Sequence, residues 1–543
     1  MKNIHKLIFT CLLLVFLVIG CDTDELHNLN VNPNAVNKID LNYFFTAAEL
    51  GSASGGSAGD NRYIDWRTNI GMCSHAIQQL ANAGGGIAAG DKYTDTDPEQ
   101  SNAPFQFFLT DVGRNTAEIL RQTGPGGYDD GKKVNMRQAT RILRVFNFHR
   151  LTDFYGSVPY SEANQGLKGI FFPKYDKQKD IYLDLLKELD EATAGFISEA
   201  DPDQAGFKTA DFIYAGSTAK WKKWGYSLML RLAMRISNVE AATAATYVSK
   251  AVTGGVFTSN ADNVWVTMSD GPSEWTNQNG ISRAFDPGDG GQGKSSFLSK
   301  TLIDWLKGTN PAVTTDDDPR LMVFTGGIGT WTTAGFAPVA GGTDPLSQKG
   351  MPNGYDQAGL DVLEGKAVVT KDTYSSLNIK MMQDSDPYML MNYGEVELLL
   401  AEALQRSIGS GITGTAKSHY DAGVRASMQM YTPYEASLSV TDGAVNAYLA
   451  TYVYNVSKPA LEMIGQQIWA NKFLNWWEAW SDYRRSGFPT LIPTNYPGNN
   501  TGGTIPVRLR LPASEIAGNP NYATGATLPD LLTTKVWWDG GAN

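Results

Sequence analysis

Cysteine is scarce in this chain: 543 residues carry three, Cys11, Cys21 and Cys73. The first two sit within or directly after an N-terminal apolar run, so the body of the protein holds one thiol and no disulfide of its own; the fold must rest on its core. Histidine is nearly as rare. Beyond the first twenty residues only His27, His75, His149 and His419 remain, far apart and without H-E-x-x-H spacing. No basic run occurs and the formal charge is −11, which disfavours contact with phosphate backbones over most of the surface and argues against a nucleic-acid binder. Charged residues make up only 19% of the chain. Gly, Asn, Thr, Ser and aromatics stand in their place, a surface of amides, hydroxyls and flat rings that suits polar, uncharged ligands.

What is present begins with an export signal. Lys2 and Lys6 precede an uncharged stretch from Leu7 to Ile19, and Val18-Ile19-Gly20-Cys21 closes it. Those 13 residues are too few for a spanning helix, which needs roughly 20, and no later run replaces them. Residues 1–20 therefore read as a lipoprotein signal peptide, with Cys21 as the first mature residue and the site of lipid attachment. Several acyl chains, at about 0.8 kcal/mol per buried methylene, anchor such a chain stably. Asp22, Asp24 and Glu25 make residues 21–40 an acidic tether. Without Lys2 and Lys6 the charge becomes −13, and 523 residues remain, enough for a sizeable core.

Residues 41–543 read as a single, mainly α-helical domain, because apolar residues recur at helical spacing and no clean two-residue alternation stands out. Ile181, Leu185 and Leu189 share one helix face. Trp221, Trp224, Leu228 and Leu232 share another, with Ser217 expected as N-cap. Val396, Leu399, Leu400 and Ala403 form a stripe ended by Gly409, followed by Tyr420, Val424 and Met428. Small residues (Ala401, Ala403, Ala416, Ala422, Gly423) at the expected crossing give this pair a tetratricopeptide-like character. A long helix is expected from a cap at Ser457 through Leu461, Ile464 and Ile468 to Trp480, stopping near Gly487 and Pro489. Residues 254–371, rich in Gly, Thr, Asp and Pro, read as a loop-rich insertion with one short helix, Ser296 to Lys307.

Four motifs invite a chemical reading. Gly288 to Ser295 matches the P-loop letter for letter, but Ser282 to Pro287 is no buried strand, and without one the amides are not aimed at phosphate. Gly55-Gly56-Ser57-Ala58-Gly59 matches a nucleophile elbow, yet it lies in a Gly/Ser run rather than a strained strand-to-helix turn. Asp91, Asp95, Asp97 and Glu99 alternate in one loop without the EF-hand glycine and terminal glutamate; no cofactor is expected, and calcium here is the one alternative left open. Glu478 and Asp482, one turn apart beside Arg484 and Arg485, fit acid/base work or a paired charge cluster. His75 and His149 read as structural residues on helices. Trp469, Trp476, Trp477 and Trp480 share a helix and read as core, whereas Trp265, Trp275, Trp331 and Tyr355 fall in the insertion and are the candidates for ligand contact.

A set of segments then points to a family: Asn32-Pro33-Asn34, the run Phe148 to Ala163, Trp224 to Arg235, Glu478 to Gly487, and Val536-Trp537-Trp538-Asp539. In this order, behind a lipoprotein signal, they resemble the SusD/RagB-like nutrient-binding outer-membrane lipoproteins, in particular their second, divergent subgroup. The resemblance implies a helical scaffold with tetratricopeptide-like pairs, resting as a lid over a SusC-like TonB-dependent β-barrel transporter. It implies capture and delivery of oligosaccharide, or of peptide in some members, at the cell surface and without catalysis. The matching blocks are mostly scaffold, so no ligand contact carries over. The rival reading is a surface hydrolase using Glu478 and Asp482, or a serine, on glycans or peptides.

Overall fold

The computed structural model describes residues 38–54, 62–84, 89–94, 99–271, 277–285, 296–332, 335–526 and 528–542. The signal, Cys21, Trp275, Asp95, Asp97 and both glycine-rich motifs (55–59 and 288–295) lie outside them. The chain divides into two units, Met1–Leu41 and Asn42–Asn543. Nearly all of the first falls outside the described residues, and the second carries every element named below.

Helices paired in sequence build the body. Val134–Tyr155 packs on Gln178–Ala194, Thr218–Arg235 on Ala241–Gly254, and Tyr393–Gln405 on Ala416–Gln429. Val134–Tyr155 is buried on every side from Val145 onward, the mark of a helix inside the core rather than on its surface. Gly156 ends it at φ +81°, its N–H returned to the Thr152 carbonyl at 2.8 Å. The expected stripes face inward: Ile181, Leu185, Leu189, Trp221, Trp224, Leu228 and Leu232 are all fully buried, and the Trp221 and Trp224 rings sit 4.9 Å apart.

Ser217 does occupy the N-cap, but its hydroxyl makes no capping bond; Glu199 instead receives the Thr218 N–H at 2.6 Å. At the crossing of Tyr393–Gln405 and Ala416–Gln429, two glycines set the distance. A Cβ on Gly423 would stand 2.7 Å from the Leu398 Cγ, and one on Gly394 3.1 Å from the Gly423 carbonyl oxygen. Ala401 and Ala403 are buried there, while Ala416 and Ala422 lie on the flank. The first of these helices ends at Gln405, four residues before Gly409.

The long C-terminal helix is in fact two. Ala460–Asn471, with Pro459 rather than Ser457 at its N-cap position and no side-chain capping bond, stops before Leu474 takes a left-handed φ of +77°, and Trp476–Ser486 follows. The break turns fully buried Lys472 back toward the second helix, where it meets Asp482. Gly487 ends that helix as expected.

The 254–371 segment holds more structure than its composition suggests. Ser299 caps Lys300–Leu306, accepting the Leu302 N–H at 3.0 Å. Three antiparallel strands, Gly335–Pro338, Thr325–Thr332 and Ser375–Leu377, form a sheet in that order. Thr325–Thr332 alternates in burial, but three of its eight residues are glycine, and a period written in glycines carries no hydropathy signal. Two-stranded pairs join Leu80–Asn82 to Ser296–Leu298 and Val264–Val266 to Tyr388–Met391. Among the described residues no helix is long and apolar enough to cross a membrane.

Candidate functional site

A cavity of about 820 Å³ opens where three segments meet: the first turn of Lys300–Leu306, the Pro352–Asp356 turn, and the Thr490–Pro497 loop. The close fit of the last two depends on Gly354, whose φ is +81° and whose missing Cβ would stand 2.5 Å from that of Thr494. Beneath them lies buried Asp91. Its carboxylate accepts the Gly354 N–H at 3.1 Å, and its carbonyl receives the Thr494 hydroxyl. Asp356 caps the Gln357–Glu364 helix with one oxygen, on the Gly359 N–H at 2.8 Å, and takes the Tyr496 hydroxyl on the other at 2.9 Å. Those two hydrogen bonds hold its carboxyl below the usual carboxylate range, so it is ionised at neutral pH.

Tyr355 and Tyr496 are half-buried on the cavity wall, and Tyr355 is backed by the cluster of Phe297, Met351 and Leu360. Asn353, Thr490, Thr494 and Asn495 add amides and hydroxyls. A ring with an apolar face and a polar edge, set among such groups, matches ligands that are themselves amphipathic rings bearing hydroxyls.

The aromatic candidates from the sequence do not converge on one place. Tyr355 is in this cavity. Trp331, 9% exposed and packed on Phe336 at 5.7 Å, lines a separate cavity of about 390 Å³ with Phe285, Asp270 and Gln383. Trp265 lines neither; it is strand-paired with Met389 and sets its ring edge-on to Tyr434 at 5.6 Å. Tyr496, Asn495 and Thr494 are absent from the sequence candidates, although the Pro493-Thr-Asn-Tyr-Pro-Gly-Asn-Asn500 cluster is a loop signal with a tyrosine at its centre. Of the acidic loop, Asp91 is engaged as above and Glu99 pairs with Arg67 at 2.7 Å.

Glu478 and Asp482 lie inside the protein, 2% and 4% exposed, so they are closed to substrate and cannot serve the hydrolase reading. Their oxygens and one of Glu395 come within 4.8 Å of one another, but cations already fill that space. Arg235 pairs with Glu478 and approaches Asp482 at 3.8 Å; Lys472 pairs with Asp482 and reaches Glu395 at 3.1 Å; Arg231 grips Glu395 with two bonds of 2.6 and 2.7 Å. Arg485 joins Asp482 to Glu402. Burial alone would raise the Glu395 carboxyl, but Arg231 and Lys472 carry it below its ordinary value. Asp482 is likewise held far down against burial by Lys472, Arg235 and Arg485. Burial pushes His149 well below the usual histidine range, so the imidazole beside Glu478 is neutral. His149, Arg231, Arg235, Glu478, Asp482 and Arg485 belong to the sequence blocks, and together with Glu395, Glu402 and Lys472 they tie the helices together.

The model of one protein family, SusD-like, described as "Starch-binding associating with outer membrane", matches residues 37–512. The chain belongs to this family. Among solved structures, a chitin-binding protein is similar at 29% identity and a TM-score of 0.75, covering 93% of this chain and all of its own. A chitin-binding SusD homolog from Flavobacterium johnsoniae shares the fold at 22% identity and a TM-score of 0.71, over 92% and 99% of the two chains. A SusD homolog from Bacteroides uniformis does so at 23% and 0.70, over the same shares. No curated protein matches the chain. The scaffold is thus the helical SusD-like fold that the sequence blocks implied, in a family associated with the outer membrane.

Proposed function

We propose that this SusD-like chain is a non-enzymatic, lipid-anchored surface protein that captures neutral oligosaccharide and delivers it to a TonB-dependent β-barrel transporter in the outer membrane. The observation that carries the reading is the 820 Å³ cavity with Tyr355 and Tyr496 on its wall. A sugar ring lays its C–H face on a tyrosine and turns its hydroxyls to Asn353, Asn495 and the Asp356 carboxylate. An ionised, capped aspartate accepts hydrogen bonds but has no proton to give a leaving group, which suits binding rather than acid catalysis. The chitin-binding relative at 29% identity favours a glycan over a peptide. Lipid on Cys21 supplies the anchor, and the acidic stretch from Asp22 gives the body freedom to swing over the transporter.

Calorimetric titration with chito-oligosaccharides, malto-oligosaccharides and a peptide pool tests the ligand class. One glycan series is expected to bind without turnover, and Tyr355→Ala to weaken it about tenfold, the worth of one stacked aromatic at about 1.4 kcal/mol. Unchanged affinity in Tyr355→Ala with loss in Trp331→Ala would move the site to the Trp331 cavity; binding of peptides alone, or turnover of any glycan, would defeat the reading. For the partner, mild detergent extraction of crosslinked native membranes is expected to bring down a large β-barrel protein with this chain. A chain recovered alone under those conditions contradicts the delivery role.

A further inference from the structure

Lys300–Leu306 borders two cavities. Lys300, Thr301 and Asp304 form part of the wall of the Tyr355 cavity, and Asp304 and Trp305 begin the wall of another, about 370 Å³, that continues past Gly308 and Thr309. Asp304 thus stands between the two. The second cavity is richer in aromatic surface than the first. Tyr448, near the end of the Asp442–Thr451 helix, and Tyr452, one turn on, lie 4.8 Å apart at 40°. Trp305 is half-buried, packed edge-on to Trp469 at 5.8 Å, with its indole N–H donated to Gln466 at 3.3 Å. Tyr452 is half-exposed and donates its hydroxyl to the Asp316 carbonyl at 2.9 Å. Ser457 and Lys458 form an exposed polar rim.

The polar edges of these rings are tied down by hydrogen bonds while space remains beside them, so the residues on the wall are held in place rather than collapsed into the core. Rings fixed at their edges, a polar rim and a volume within the range of small-ligand sites repeat the chemistry of the Tyr355 cavity. The two cavities adjoin at Asp304, which both walls share, so a ligand longer than the first cavity meets the second next. None of the sequence candidates lies here.

The geometry points to a second saccharide subsite, built on Trp305, Tyr448 and Tyr452, that takes the distal units of a chain whose first units occupy the Tyr355 cavity. This inference rests on the glycan-binding reading above. Linking two weak sites through one ligand makes the second contact intramolecular, so affinity should climb with chain length until both are filled.

The test is titration of the full chain with chito-oligosaccharides of increasing length, in the unaltered protein and in Tyr452→Ala and Trp305→Leu; the leucine keeps apolar volume against Trp469. Thermal melting of each variant checks its fold. Unaltered protein is expected to gain at least tenfold between short and long oligomers. Both variants are expected to hold the short oligomers as before and to lose that gain, while Tyr355→Ala weakens every length. Length dependence preserved in both folded variants overturns the subsite alone. Binding without any gain with length in the unaltered protein also overturns the subsite, and no binding at any length, of these or of malto-oligosaccharides, overturns the glycan reading and the subsite with it.

Discussion

Glu478→Ala is expected to destabilise the protein by about 3–5 kcal/mol, the cost of removing one member of a buried ion cluster and leaving its partners unneutralised. Glu478 is 2% exposed and stands among Arg235, Arg231, Lys472 and His149. Arg235 and Lys472 are themselves 1% exposed or less, so neither can turn to water when the carboxylate is gone. Arg235 would keep Asp153 at 3.4 Å and Asp482 at 3.8 Å, which limits the loss but does not replace its contact with Glu478. Glu478→Gln keeps an acceptor oxygen and should cost less than alanine. The measurement is the shift in denaturant midpoint of both variants. A loss below about 1 kcal/mol in Glu478→Ala, typical of exposed pairs, would mean the cluster does not bind the helices as described. In folded Glu478→Ala, glycan affinity at the Tyr355 cavity should be unchanged, since the residue acts on the scaffold and not on the ligand.

The same residues explain how much the sequence could say. Helix faces are legible because apolar stripes such as Trp221, Trp224, Leu228 and Leu232 repeat at 3.6 residues, and burial follows that period directly. The charged residues of Trp224–Arg235 and Glu478–Gly487 are ambiguous in sequence, since a carboxylate pair beside arginines reads alike as catalysis or as structure. Only partners distant in sequence decide: Glu478 and Asp482 meet Arg231 and Arg235 of another helix and Lys472 of the turn before their own, and Arg231 and Lys472 meet Glu395 of a third helix. The helix break at Leu474 is hidden for a similar reason: no glycine or proline marks it, and the turn is held by the reach of Lys472 to Asp482. Strands written as Thr-Gly-Gly-Ile-Gly read as loop because glycine shows no face. The cavity is half visible. Tyr355 stands out as an aromatic with little core to explain it, but Tyr496 lies 141 positions on, and only the fold puts its hydroxyl on Asp356.

Asp65 sets the expected response to pH. It is fully buried in the Asp65–Ser74 π-helical segment, where one oxygen accepts the Tyr388 hydroxyl at 2.7 Å and the Asn69 amide at 2.8 Å, while the other has no partner. Burial dominates, and although Tyr388, Asn69 and Arg150 oppose it, the carboxyl is pushed up to about 7. In the unfolded chain it titrates at about 3.9. Between these values the folded state holds the proton and the unfolded state does not, so this contribution to stability is fully present below about pH 4, declines as pH rises, and is gone above about 7. At about 1.36 kcal/mol for each pH unit of the window, the loss amounts to roughly 4 kcal/mol. Glu395, Glu402 and Asp482 act in the opposite sense, since their carboxyls are held down by arginine and lysine and their stabilisation is lost only in acid. A melting curve of the unaltered protein therefore sums opposing slopes, and Asp65→Asn separates them. The asparagine keeps an acceptor for Tyr388 and cannot ionise, so between pH 5 and 8 the melting temperature of the unaltered protein should fall relative to that of the variant. Two curves that stay parallel across this range would show that Asp65 ionises normally and that its second oxygen has a partner after all.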